Sequence, residues 1–415
     1  MMKEDFKYKC DNCGQIFAIG SDIMLCPNCR EKSIKGKPLK GVLKVQLPEK
    51  LKNSLSIKGK INIFDFLPVE KKFFPSISVG NTPLIDAKNI QKDLEFNNIY
   101  LKFDGTNPTG SFKDRASYLV SAFAKKNNVN EIVVASTGNA ASSMAGIAAA
   151  AGQKTFIFMP EQAPKAKLVQ CLQYGAELIP IKGDYDTAFD VSLEFSERTG
   201  FLNRNTAYNP LTIEGKKTVA FELYEQLIEK DIDYLFLPVG DGVILSGVIK
   251  GFNDLKFLGA INKIPKIIGV QAEGSSFIYN AFYKNSFDLN YKAATIADSI
   301  SVNVARNGYS AVKDLKSVEG ELVVVNDDEI LYSQSYLSRM SGIFCEPSSA
   351  AAFAGFLKIN ERIAKDKTIV VLLTGHGLKD IDNALKSVKF PKIFEADIDY
   401  ILDNLNLKYK FGEEK

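Results

Sequence analysis

The sequence predicts a doubly wound α/β protein preceded by a small, separate cysteine-bearing module. Three observations carry the prediction. Seven short, wholly apolar runs alternate with longer stretches of helical pattern, small glycine-rich loops follow several of those runs, and four of the six cysteines fall within the first 29 residues. All-apolar runs suit parallel strands covered on both faces, and the helical stretches between them suit crossover connections. At 415 residues and 46% hydrophobic content the chain is long enough for two to three units with sizeable cores.

Cys10, Cys13, Cys26 and Cys29 form two C-x2-C knuckles. Such a pair places four thiolates tetrahedrally around one zinc ion. Gly14 and Pro27-Asn28 supply the tight turns, and Tyr8 and Phe17 are placed to pack over the metal. The alternatives are disulfides, which a reducing compartment disfavours, and a remnant without metal. A four-thiolate site has no open coordination position, so this zinc ribbon, assigned to residues 1–45, stabilises rather than catalyses. Cys171 and Cys345 have no such spacing and read as small apolar residues. A basic linker, Lys35 to Lys44 with Gly36, Pro38 and Gly41, leads out of the ribbon.

The predicted strands are Ile132–Ala135, Thr155–Met159, Leu178–Ile181, Tyr234–Val239, Ile267–Val270, Leu322–Val325 and Ile369–Leu373. The segments at their carboxyl ends are informative. Ser136-Thr137-Gly138-Asn139 comes after the first, Gly240-Asp241-Gly242 after the fourth, Gln271-Ala272-Glu273-Gly274 after the fifth and Thr374-Gly375-His376-Gly377 after the last. Loops of this kind at strand carboxyl ends are where open α/β sheets bind ligands. Lys113 sits in Asn107-Pro108-Thr109-Gly110-Ser111-Phe112-Lys113-Asp114-Arg115, directly after a glycine-bearing turn and before a helical stretch, with Ser111 placed to cap that helix. A lysine held in this way is a candidate Schiff-base nucleophile.

Composition narrows the chemistry. A net charge of +3 over 52 basic and 49 acidic residues creates no field of the kind that binds nucleic acid. No apolar stretch approaches the ~20 residues needed to cross a bilayer, and the charged amino terminus has no apolar core of a leader, so no membrane partner and a cytoplasmic location are expected. With His376 the only histidine, multi-histidine metal centres are excluded. Gly240-Asp241-Gly242 is a poor dinucleotide fingerprint, because the next glycine is Gly247.

Taken together, Gly80-Asn81-Thr82-Pro83-Leu84, Asn107 to Arg115, Ser136 to Asn139, Gly342 to Ala350 and Leu373 to Asp380 resemble the fold type II family of pyridoxal-phosphate enzymes, and within it the threonine synthases most closely. The resemblance covers about Val79 to Val388. It implies a tryptophan-synthase-β-like architecture with a large cofactor-binding lobe (46–114 and 211–389), a small mobile lobe (115–210) and a carboxyl-terminal tail (390–415). By the same resemblance Lys113 carries pyridoxal 5'-phosphate and moves protons between substrate carbons. Asn139 faces the ring hydroxyl, Thr374 the ring nitrogen, and Gly240, Asp241, Gly242, Val243 and Ile244 cradle the cofactor phosphate. Ser136, Thr137, Gly138 and Ala140 bind the carboxylate of a small amino-acid substrate. A homodimer is expected, His376 is expected to shape its loop, and Glu346 lies near the pocket without an assigned role.

The resemblance leaves two reactions open. Threonine synthases place threonine where this chain has Ala140, an arginine that grips the substrate phosphate where it has Thr212, and asparagine where it has Ile244. Lys216 and Lys217 are the candidate replacements for that arginine, Lys216 first. The first expectation is conversion of O-phospho-L-homoserine to L-threonine and phosphate. The alternative is β-elimination, as in threonine and serine dehydratases, to which Thr295 to Ile300 is similar, or β-replacement as in cysteate or cysteine synthesis.

Overall fold

The computed structural model describes residues 3–34, 36–55, 61–163, 165–288 and 291–405. Lys35 of the expected linker and the end of the tail, 406–415, lie outside the described residues.

Thirteen strands among these residues form three sheets. Strands β1 (Lys7–Cys10), β2 (Ile16–Ala18) and β3 (Leu43–Gln46) make a small antiparallel sheet in the order β2-β1-β3. The larger sheet has the order β12-β11-β10-β13-β5-β4, built from β4 (Leu84–Asp86), β5 (Asn98–Phe103), β10 (Tyr234–Pro238), β11 (Lys266–Ala272), β12 (Glu321–Val325) and β13 (Thr368–Leu373). It is parallel except for β4, which pairs antiparallel with β5. The remaining sheet is parallel throughout, in the order β8-β7-β6-β9, from β6 (Glu131–Ala135), β7 (Lys154–Pro160), β8 (Glu177–Ile181) and β9 (Leu202–Asn203).

All seven apolar runs are strands, within two residues at either end. Strand β13 shows why the pattern was readable: each of its six residues is buried, as a central parallel strand covered by helices must be. Three strands of the two parallel layers had no such run. Strand β5 is interrupted by Lys102, whose buried ammonium donates to Thr82 O at 2.8 Å and pairs with Glu222 at 2.6 Å. A lysine in mid-strand hides an otherwise apolar segment. Strand β4 is a three-residue edge, and β9 has only two residues.

The basic linker is corrected at its end. Lys44 pairs with Lys9 inside β3, and Leu43 and Val45 are buried, so the last part of that segment is the third strand of the ribbon. The capping role of Ser111 is also corrected. The helix Lys113–Lys126 has Phe112 at its N-cap and no side-chain cap. Ser111 instead bridges Gly375, Phe112 N donates to Thr374 O at 2.7 Å, and His376 N donates to Gly110 O at 3.0 Å. The loop that carries Lys113 is thus stitched to the loop after β13. A buried network anchors the first turn behind it: Arg115 pairs with Asp104 and with Glu222, which also binds Lys102.

Candidate active site

A cavity of about 370 Å³ is lined by strand-end loops of both parallel sheets. From the four-stranded sheet come Ser136, Thr137, Gly138, Asn139 and Ala140, where β6 passes into the helix Asn139–Ala151. From the six-stranded sheet come Gly240, Asp241 and Ile244, where β10 passes into the helix Val243–Phe257. Lys113 and Lys216 complete the set expected from sequence. Two helix amino termini, each with unpaired backbone amides and a favourable dipole for anions, therefore open onto one space.

Three expected residues do not line it. Gly242 turns with φ of +88° under Ala311, where a Cβ would come within 2.6 Å of the alanine methyl. Val243 is fully buried and its amide already donates to the Asp241 carboxylate at 3.0 Å. Thr374 lies behind the wall, with its amide donating to Ser349 Oγ at 2.9 Å and the two hydroxyls 3.3 Å apart. The loop after β11 is likewise absent from the lining. Gln271, expected in that loop, falls inside β11 and serves the fold, donating to Val239 O and accepting from Tyr279 N.

Burial lowers the pKa of the Lys113 ammonium, only partly opposed by Asp241 and Glu346. Lys216 is fully buried and pulled down further, by burial first, with Asp241 opposing. Burial pushes the Asp241 carboxyl up, but Lys216 and Lys113 together outweigh it and hold the group below the ordinary range. Asp241 is therefore an anion inside the cavity, a carboxylate that faces several cations. Asn139 donates to Glu346 at 2.9 Å and to Ser299 at 3.1 Å. Glu346 is raised by burial, which the Asn139 hydrogen bond only partly offsets. A second cavity of about 270 Å³ reaches Asn139, Ser299, Glu346 and Lys379 from the other side. His376 behaves as expected of a loop-former, its Nδ1 accepting from Leu378 N at 3.1 Å.

Residues 76–375 match the pyridoxal-phosphate dependent enzyme family. The chain belongs to that family. Threonine synthase of Methanocaldococcus jannaschii is 34% identical over 407 residues, 95% of this chain and 98% of that protein. Threonine synthase of Methanosarcina acetivorans is 32% identical over 99% of this chain and all of its own length, and that of Bacillus sp. (strain ULM1) 37% identical over 82% and 95%. Among solved structures, threonine deaminase isoform 2 from Solanum lycopersicum superposes with a TM-score of 0.66 at 23% identity, covering 80% of this chain and 94% of that one. Maize serine racemase superposes at 0.64 and 22%, covering 79% and 92%. At these identities the superpositions establish the shared fold.

As a member of the pyridoxal-phosphate dependent family the chain has pyridoxal phosphate as its cofactor, and the cavity fits that group. It is of ligand-pocket size, an amine of depressed pKa faces it, and Gly240 leaves no room for a side chain, since a Cβ there would stand 2.9 Å from Ile300 Cα. Asp298, Ser299 and Ile300, from the segment similar to dehydratases, form another wall. Tyr185, Arg204 and Arg306 line the cavity as well and were not foreseen. Each is an isolated residue between ordinary neighbours, with no spacing to mark it; the start of the helix Tyr185–Thr199, the short β9 and the loop around Arg306 bring them in.

At the amino terminus the four predicted thiolates converge. Their sulfurs all lie within 4.8 Å of one another, with Cys10 to Cys29 at 3.9 Å and Cys13 to Cys26 at 3.8 Å, and all six cysteines are free. Four sulfurs at about 2.3 Å from a shared tetrahedral centre stand about 3.8 Å apart. Tyr8 is buried and pairs across the sheet with Phe17, while Cys171 and Cys345 are buried apolar residues elsewhere. No helix among the described residues is long and apolar enough to cross a membrane.

Proposed function

We propose that the chain converts O-phospho-L-homoserine and water to L-threonine and phosphate. The observation that carries this reading is the cavity-facing amine of Lys113, pinned by the strand-end loop after β13, in a chain matched over nearly its whole length by threonine synthases. In the balanced reaction the bond from the γ-carbon to the phosphate oxygen breaks, phosphate departs, and the oxygen of water joins the β-carbon. The bound cofactor supplies an electron sink for carbanion character on the substrate.

The chain's own residues do the rest. Lys113 holds the cofactor covalently at rest and, once freed, takes and returns protons at the substrate carbons; desolvation makes its neutral amine available. Ser136, Thr137, Gly138 and Ala140 receive the carboxylate at the start of the helix Asn139–Ala151. Asn139, oriented by Glu346, would hold the cofactor ring, while Thr374, hydrogen-bonded to Ser349 behind the cavity wall, would support that wall. Gly240 and Ile244, which line the cavity at this turn, would hold the cofactor phosphate, with Lys216 offsetting the charge of Asp241. Zinc occupies the four-thiolate cluster. The segment 115–210 acts as the mobile small lobe against 46–114 and 211–389, and the enzyme works as a cytoplasmic homodimer.

A second reading, elimination to a keto acid and ammonia or replacement at the β-carbon, is favoured by one feature: Asp241 brings a carboxylate into the cavity. Incubating cofactor-loaded protein with O-phospho-L-homoserine and assaying inorganic phosphate and threonine decides between them. Equal amounts of both support the first reading. Neither product, with turnover of serine, threonine or phosphoserine instead, sinks it.

A further inference from the structure

Arg204 is the cavity residue whose state the cofactor roles above leave unexplained. It follows β9 directly, and its amide donates to Val133 O at 2.7 Å, which fixes it beside β6. Its side chain is 1% exposed. It has no carboxylate within ion-pair distance among the described residues; its Nε donates to Ser117 Oγ at 3.3 Å, and its Nη2 is buried with no hydrogen-bond partner. A buried guanidinium left in this state is costly unless an anion arrives to complete it.

Two of the neighbouring cations, Arg306 and Lys379, have partners of their own. Arg306 also has a buried nitrogen without a partner, its Nε, but unlike Arg204 it pairs with a carboxylate, Asp186, and lies over the Phe189 ring at 4.5 Å. Lys379 donates to Ser142 at 2.9 Å and to Gln170. Asp241 is the foremost charge favouring the protonated form of Lys216. Thr212, which stands where an arginine was expected, is fully buried and gives its hydroxyl to Asn209 O at 2.8 Å, so it supplies no fork. Arg204 feels the charge of Asp241 across the cavity, but the two come from different sheets. It lies at the carboxyl edge of the four-stranded sheet, the same wall as the Ser136–Asn139 loop, whereas Gly240 to Ile244 belong to the six-stranded sheet opposite.

We propose that Arg204 grips the distal oxyanion of the amino-acid substrate, a phosphate monoester, and then the orthophosphate released from it. The planar guanidinium matches phosphate through two parallel hydrogen bonds, which a lysine cannot reproduce. Substrate carboxylate and substrate phosphate are then both held from one sheet, while the cofactor phosphate is held from the other. This rests on the threonine synthase reading of the cavity.

The test uses holoenzyme and three readouts: orthophosphate binding by calorimetry, steady-state kinetics with O-phospho-L-homoserine, and cofactor retention on dialysis followed by absorbance. In Arg204→Gln, kcat/KM is expected to fall about 30- to 100-fold, mostly through KM, with orthophosphate binding weakened to the same degree. Cofactor retention is expected to stay at the wild-type level. Arg204→Lys, which keeps the charge and loses the fork, is expected to fall between the two and serves if the glutamine variant does not fold. Release of cofactor from either variant, or orthophosphate binding equal to wild type, overturns the assignment. If wild-type holoenzyme binds orthophosphate through Arg204 yet does not turn over O-phospho-L-homoserine, the reaction reading falls and the oxyanion subsite stands. If it turns the substrate over and Arg204→Gln does so equally well, the subsite falls alone.

Discussion

The four thiolates near the amino terminus and the charged groups around the inter-sheet cavity are both clusters of reactive side chains, assembled in opposite ways. Cys10, Cys13, Cys26 and Cys29 are close in sequence, all donors of one kind, and their sulfurs close on a single point within 4.8 Å. Nothing is left over for a substrate. The cavity draws Lys113, Arg204, Lys216 and Asp241 from across the chain and leaves guanidinium nitrogens of Arg204 and Arg306 without a hydrogen-bond partner. The first arrangement saturates its ligands and is suited to hold a fold. The second keeps charge in reserve, which costs stability and confers binding.

That contrast can be broken or sharpened by measurement. The largest effect belongs to the cavity. Lys113→Ala should lower turnover by about 1,000-fold or more, in the upper range for a lost proton-transfer group. Borohydride should also cease to fix the cofactor to the chain, as read by mass spectrometry; fixation at another lysine would show that the cavity amine was misassigned.

The buried network behind Lys113 should come next. Glu222→Gln leaves buried Lys102 without an ion pair among the described residues and Arg115 with Asp104 alone, and should cost about 3 kcal/mol in denaturant unfolding. Burial pushes the Glu222 carboxyl up, but Arg115 and Lys102 outweigh it and hold the pKa down to about 2. A depressed carboxylate contributes stability above its unfolded pKa, near 4.5, and loses it as pH falls toward about 2. The variant should therefore lose less stability across that acid window than wild type, and equal losses in the two proteins would remove Glu222 as the cause.

The thiolate cluster should give a smaller and purely structural effect. Chelation, or Cys13→Ser, should remove one zinc per chain and lower Tm by about 4 °C or more, corresponding to about 2 kcal/mol in a chain of this size. The kcat of the protein that stays folded should not change; a fall in kcat in step with zinc loss would make the two regions one functional unit. The smallest effect is expected at Asp241→Asn, which keeps the oxygen that accepts from Val243 N and removes the charge that faces Lys216 and Arg204. Orthophosphate should bind the holoenzyme about tenfold more tightly, the size of one nearby charge at an effective dielectric of about 20. Weaker binding would mean that Asp241 organises the subsite instead of opposing it.

The chain's legibility followed the range of the interactions concerned. Strands such as Ile369 to Leu373 were readable because burial on both faces demands an unbroken apolar run, and the cysteine knuckles because their spacing is itself the geometry. Strand β5 escaped because Lys102 offsets its desolvation through Glu222, 120 positions away. Ser111 looked like a helix cap, and only the pairing with Gly375 shows that the loop after β13 holds it. Lys113 could be chosen from its turn and the loops at the ends of other strands. Arg204 could not, since a lone arginine after a two-residue strand carries no local signature.

By itself, then, the sequence determined the kinds of element, the parallel layering and the thiolate cluster, because helical period, double-sided burial and knuckle spacing are written in neighbouring residues. The tertiary structure decided which charges face one another: that Asp241 points into the cavity, that Thr212 turns away from it, and that Arg204 is left with an unpaired nitrogen. Those outcomes depend on how two sheets are placed against each other, and electrostatic complementarity at that distance has no counterpart in local sequence.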